Sequence, residues 1–148
     1  MRLVERLASD LAVIYDGNAW HGTALKPMLA DVDERRAQAR PIGNARTIAE
    51  LTAHVSAWIA IVERRLRGEV FEVTTEMDFP PGDAMPFDEL VAHMDAAQAR
   101  LLSTLRAADD AKLDEIVPGK KHTYWTMLTG LAHHTTYHAA QIAMLKKF

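Results

Sequence analysis

Apolar residues recur at intervals of three and four in four separate stretches of this chain, the period of an amphipathic α-helix. The first stretch runs from about Arg2 to Tyr15, with Leu3, Leu7, Leu11 and Ile14 on one side, until Asp16-Gly17-Asn18 stops it. The second opens at Thr47, an N-cap residue, and Glu50 three positions on completes a capping box that satisfies two free backbone N–H groups. Its apolar face is Ile48, Leu51, Val55, Trp58, Val62 and Leu66, and Gly68 suits a left-handed stop. The third, from Pro86 or Phe87 to Arg106, aligns Phe87, Leu90, Met94, Ala97, Leu101 and Leu105. The last, from about Thr123 to Lys147, carries Met127, Leu131, Ile142 and Leu145, with Lys146 and Lys147 at the negative end of its dipole.

The connections are punctuated. Leu25, Met28, Leu29 and Val32 indicate one further helical piece within Trp20 to Ala39, before the loop Arg40-Pro41-Ile42-Gly43-Asn44. Pro80-Pro81-Gly82, Pro86 and Pro118-Gly119 are hostile to a helix interior, and Val70 to Val73 reads as a short extended piece. Main helices of roughly 14 to 25 residues are ~20–37 Å long, the dimensions of a bundle. No internal repeat or second-domain boundary is visible. The expectation is one all-α domain over residues 1–148, folded as a four-helix bundle.

Composition narrows the chemistry. Apolar residues make up 49% and charged residues 25%, which suits a globular chain rather than a disordered one. Lys and Arg number 17 against 20 Asp and Glu, so nucleic acid is not the expected partner. No run approaches the ~18 apolar residues of a membrane span, and Met1 to Leu11 lacks a signal-peptide core. Cysteine is absent, which excludes disulfides, thiolate metal sites and a cysteine nucleophile, and a reducing cytoplasm is the expected compartment. A transition metal, if bound, must be held by histidine and carboxylate.

The last helix carries the sharpest feature. Positions 127, 131, 134, 138, 142 and 145 form one seam, and two of them are His134 and His138 where leucine would be expected. Residues four apart differ by ~40° around a helix and meet on one face. Burying two imidazoles without partners is costly. Either a metal ion satisfies them, or they hydrogen-bond to each other, to water or to a carboxylate. His54, one turn from both Leu51 and Trp58, borders the buried face of the second helix and is the candidate third ligand. Three imidazoles with a fourth position open would form a site of catalytic type, for zinc or nickel. Gln141, one turn beyond His138, is the candidate to orient a ligand or substrate, or is simply a polar flank. His133 and Tyr137 lie off the seam, and His21, His93 and His122 read as solvated or packing residues, His21 and His122 in loops that border a cleft. Arg64-Arg65-Leu66-Arg67 reads as the solvated end of the second helix. There is no Gly-rich phosphate loop and no GxSxG elbow.

Three blocks together carry a resemblance: Trp20-His21-Gly22 with Leu25, Thr47-Ile48-Ala49-Glu50-Leu51 leading to His54, Trp58 and Arg65-Leu66-Arg67-Gly68-Glu69, and Gly130-Leu131-Ala132-His133-His134 through Tyr137-His138-Ala139-Ala140-Gln141-Ile142. Their order and spacing resemble the DinB/YfiT-like family. That resemblance implies a four-helix bundle holding a divalent metal on three histidines, here His54, His134 and His138. It also implies frequent homodimers and, in several members, thiol-dependent transferase or isomerase activity. Two positions depart from the family pattern: Met77-Asp78-Phe79-Pro80 stands where an acidic-tryptophan-proline motif is common, and Ala140 where glycine is common.

Two functions follow as expectations. The first is a metal-dependent enzyme in which a low-molecular-weight thiol, supplied from outside, adds to a small electrophilic substrate, with Gln141 assisting. The second is a non-catalytic, metal-stabilised protein of stress- or damage-inducible interactions. Apolar residues beyond a single stripe, including Trp20, Ile59 and Met144, add to the expectation of a homodimer through helix faces.

Overall fold

The computed structural model covers residues 1–148 and is all-α. Its α-helices are α1 (Leu3–Asp16), α2 (Leu25–Leu29), α3 (Glu34–Gln38), α4 (Ile48–Leu66), α5 (Thr75–Asp78), α6 (Phe87–Ala107) and α7 (Tyr124–Leu145), with a 3-10 turn at Asp110–Asp114. The four long helices fall on the four amphipathic stretches to within two residues. They pack in a closed ring, α1 on α6, α6 on α4, α4 on α7 and α7 on α1, and the diagonal helices stay more than 8 Å apart, Cα to Cα. A core of 33 buried residues fills the ring, with Val4, Val55, Met94, Leu101, Leu105, Leu128 and Ile142 fully enclosed. Each such aliphatic side chain stabilises the fold by ~1.5–3 kcal/mol relative to leaving it in water.

Helix ends follow the local chemistry. Thr47 Oγ1 accepts from the Glu50 N–H at 3.0 Å while Glu50 Oε2 accepts from the Thr47 N–H at 2.8 Å, the reciprocal box expected from the sequence. At the other end of α4, Gly68 adopts φ +89°, and Gly68 N and Glu69 N donate to Arg65 O and Arg64 O. This is a Schellman stop, in which a left-handed residue lets the chain double back onto the last free carbonyls. At the C-terminus of α7, Lys146 Nζ donates to Met28 O at 2.7 Å and pairs with Asp31, tying the helix to the segment after α2.

Five expectations are amended. The stretch from Trp20 to Ala39 forms two short helices rather than one, because Asp33 accepts from the Arg36 N–H at 2.8 Å and starts α3 afresh. Val70–Val73 finds no strand partner, and the sole β-type pairing in the chain is an isolated bridge between Ile116 and Thr123. Ile59 is buried, not surface, and Arg65 is buried, not the solvated end of a helix. The cause is common to both: α4 packs against α6 on one side and α7 on another, so its buried arc is wider than a single stripe. The connection containing α5, read from sequence as loop, holds one helical turn because Thr74 caps it through the Met77 N–H at 3.2 Å.

That connection lies against the start of α4. A Cβ at Gly82 would stand 2.7 Å from Glu50 N and 3.0 Å from Ala49 C, backbone atoms of a capped helix that cannot retreat. Gly82 O also accepts from Gln38 Nε2 at 3.0 Å. Gly82→Ala is therefore expected to cost ~1–3 kcal/mol through overpacking. Urea denaturation checks this, and an unchanged midpoint would contradict the close approach.

Candidate metal centre

The contact between α4 and α7 brings the three sequence-predicted histidines together. His54 (5% exposed) projects from α4, and His138 (7%) and the half-buried His134 project from one face of α7. One ring nitrogen from each lies within 4.8 Å of the others. Ring centroids are 4.8 Å apart for His54 and His134, 4.7 Å for His54 and His138, and 4.5 Å for His134 and His138. In a tetrahedral site with bonds of ~2.0–2.1 Å, two nitrogens sit ~3.3 Å apart. Small side-chain rotations reach that arrangement.

Proton bookkeeping decides what the cluster wants. His54 Nδ1 lies 2.5 Å from the Asp78 carbonyl oxygen, which can only accept, so Nδ1 carries the proton and neutral His54 presents a lone pair at Nε2. His138 Nδ1 lies 2.6 Å from Gln141 Oε1 and in the same way leaves its Nε2 free. His134 Nε2 faces His54 Nε2 at 2.9 Å, and His134 Nδ1 is the one buried side-chain polar atom in the chain without a partner. A neutral His134 has a single proton. On Nε2 it satisfies His54 but leaves Nδ1 orphaned, and on Nδ1 it sets two lone pairs against each other. A cation shared by the lone pairs removes that clash, leaving only the His134 Nδ1–H without a partner, so the residues fit a metal ion.

Electrostatics agree. Burial pushes His134 down to about 4, and the neighbouring His138 and His54 push the same way. His138 is also lowered, chiefly by burial, against the opposing hydrogen bond that its Nδ1–H donates to Gln141 Oε1. Both rings are therefore neutral at pH 7, the form that ligates.

The loop after α5 wraps His54. Phe79 stacks on its ring at 3.8 Å with the planes 5° apart, and Trp58 Nε1 donates to Asp78 Oδ1 at 2.7 Å. Arg46 in turn sits 4.2 Å from the Phe79 centroid. Asp78 and Phe79 escaped the helical periodicity because α5 is only four residues long. Thr74 three places before Met77 was the available cue.

His54 and His134 open onto a cleft of about 470 Å³ that also exposes Trp58, Val62, Arg65, Asp78, His122, Met127 and Leu131. A second cleft of about 570 Å³ lies beside Gln141, lined by Arg46, Leu51, Tyr137 and Met144. A larger one of about 920 Å³, between α2–α3 and the start of α6, contains no histidine. His122 borders the first cleft and His21 a smaller one beside α1, and His21, His93, His133 and Tyr137 are exposed and outside the cluster. Arg65 was missed, although 54, 58, 62 and 65 form one stripe along α4. Its neighbours Arg64 and Arg67 masked it as part of a solvated run.

A family model, described as the DinB superfamily, matches residues 19–142 of the chain. No curated protein and no solved structure matches it. No helix is long and apolar enough to cross a membrane.

The lowered pKa of His134 has a signed consequence for stability. Below the unfolded value of 6.5 the unfolded chain takes up a proton that the folded protein refuses. The metal-free protein should therefore lose stability as pH falls from 6.5 towards about 4, by on the order of 1–2 kcal/mol after solvent screening. Carboxylates titrate in the same range, so the measured quantity is the difference between denaturation profiles of wild type and His134→Leu. The variant should be the flatter; parallel profiles would rule out a depressed His134.

Proposed function

The chain belongs to the DinB superfamily, and from that premise we propose a divalent-metal protein that works as a thiol-dependent transferase on a small electrophilic substrate. His54, His134 and His138 would hold one zinc or nickel ion. The observation that carries the reading is the converging set of three imidazoles, two with their Nδ1 protons already held by Asp78 O and Gln141 Oε1. Such outer hydrogen bonds fix the tautomer and ring orientation of a ligand. No carboxylate or fourth histidine joins the cluster, which supports an open catalytic site over a closed structural one. A bound divalent cation would keep an external thiol as thiolate, its nucleophilic form, at neutral pH.

The chain's own residues supply the rest. Gln141 is a positioning residue that acts through His138. Phe79 covers one face of His54 and keeps water from it. The cleft beside His54 and His134 offers apolar walls, Trp58, Val62, Met127 and Leu131, for the body of the substrate. The sulfur comes from outside, since the chain has no cysteine, and a reducing cytoplasm suits that chemistry.

Protein prepared without a histidine tag should carry about one divalent ion per chain, and His134→Ala or His138→Ala should abolish tight binding. With a thiol and a panel of soft electrophiles, His54→Ala should lower kcat/KM by several orders of magnitude. Each tenfold loss corresponds to ~1.4 kcal/mol of transition-state stabilisation. Absence of turnover, together with no sulfur-to-metal band in the cobalt-substituted protein, would sink the thiol reading and leave the metal as a clamp in an interaction protein.

The same reading includes a second copy of the chain. Trp20 is fully exposed, and Met144 and Phe148 largely so, which supports a two-fold dimer through helix faces rather than through the metal. Light scattering at high micromolar concentration should return twice the chain mass; a monomer's mass would end this part of the proposal.

A further inference from the structure

Arg65 occupies the last turn of α4, is 7% exposed, and lines the cleft onto which His54 and His134 open. Its neighbours are paired: Arg64 with Glu69 at 2.8 Å, and Arg67 with Glu63 at 2.8 Å and Glu69 at 3.0 Å. The Arg65 guanidinium makes no hydrogen bond and no ion pair. None of its nitrogens is sealed away without a partner, so the little exposure the residue keeps belongs to the cleft. Its protein contacts are aromatic, with Trp58 at 5.9 Å and Phe71 at 5.5 Å from ring centroid to guanidinium carbon.

The base of the side chain is fixed while the tip is free. Arg65 O accepts from Gly68 N at 2.8 Å and from the hydroxyl of the fully buried Tyr124 at 3.1 Å. A charge held this deep without a counterion is costly, unless its partner arrives from solution. The acid that shares the cleft does not serve: neither carboxylate oxygen of Asp78 comes within 4.0 Å of the Arg65 guanidinium, and Oδ1 turns instead to Trp58 and His54. A guanidinium presents a planar fork that matches a carboxylate bidentately. At the Arg65 end the Asp78 carboxylate lines the same cleft and disfavours the second negative charge that a phosphate would bring.

We propose that Arg65 binds the carboxylate of a small molecule with an apolar body, seated in the cleft with its other end at His54 and His134. The proposal rests on the functional reading above for what happens at that other end, but not for the carboxylate itself. It makes Arg65 a specificity-determining residue and places carboxylic acids first among substrates.

The test is calorimetric titration of the zinc-loaded full-length chain with 3-phenylpropionate, its neutral amide and phenyl phosphate. Turnover is not measured, so failure of the thiol chemistry leaves this outcome untouched. The acid should bind at least tenfold more tightly than the amide or the phosphate. Arg65→Met should erase that preference, and Arg65→Lys should recover only part of it, since an ammonium lacks the fork. The thermal midpoint of ligand-free Arg65→Met should equal or exceed that of wild type, because an unpartnered charge leaves the interior. Equal binding of acid and amide by wild type would overturn the proposal, as would tighter binding of the phosphate. So would a preference that survives in Arg65→Met and vanishes when zinc is removed, which would put the carboxylate on the histidines' ion.

Discussion

The seam between α4 and α7 has to accept three imidazoles where aliphatic side chains would otherwise close the core, and the structure around it is arranged to meet that demand. A buried imidazole needs a partner for each nitrogen. Two of the three rings obtain one from outside the cluster, the carbonyl of Asp78 for His54 and the amide oxygen of Gln141 for His138. His134 obtains none at Nδ1. The two outer bonds leave the Nε2 lone pairs of His54 and His138 unprotonated within the cluster, an arrangement compatible with a shared cation.

The connection from α5 to the start of α6 is subordinate to this seam. It delivers a carbonyl, a stacking ring and an acceptor for Trp58 to a single face of α4, then crosses the first turn of that helix at Gly82. An ion bound at the cluster would be coupled to the order of this loop, since His54 faces both. The cleft on the remaining side is asymmetric. Its walls are apolar except where Arg65, Asp78 and His122 reach it, and of the two formally charged groups one is engaged and the other is not.

Much of this was legible in the residues alone. Three- and four-residue spacing marks four long helices because burial on one side of a helix leaves that trace, and the Thr47–Glu50 box marks a start because only particular side chains satisfy free N–H groups. The histidine cluster was legible because histidine is conspicuous where leucine belongs. What escaped was tertiary. The face of α4 that meets α6 hides Ile59, a contact that no local pattern announces. Asp78 reaches His54 through its backbone carbonyl, an atom that every residue possesses. Arg65 looked like part of a basic run because sequence proximity groups it with Arg64 and Arg67, whereas rotation about the helix groups it with His54, Trp58 and Val62.

The division of the three histidines, two on one helix and one on another, gives the centre a mechanical meaning. Each residue of α7 turns the helix by ~100° and advances it by ~1.5 Å. A single deletion between Tyr124 and His134 would leave α7 equally helical and nearly as apolar, yet would swing both imidazoles away from His54. Replacing an exposed residue in the same turns moves nothing. The three nitrogens thus act as a gauge of helical phase, tolerant of changed chemistry on the outer surface and intolerant of changed length.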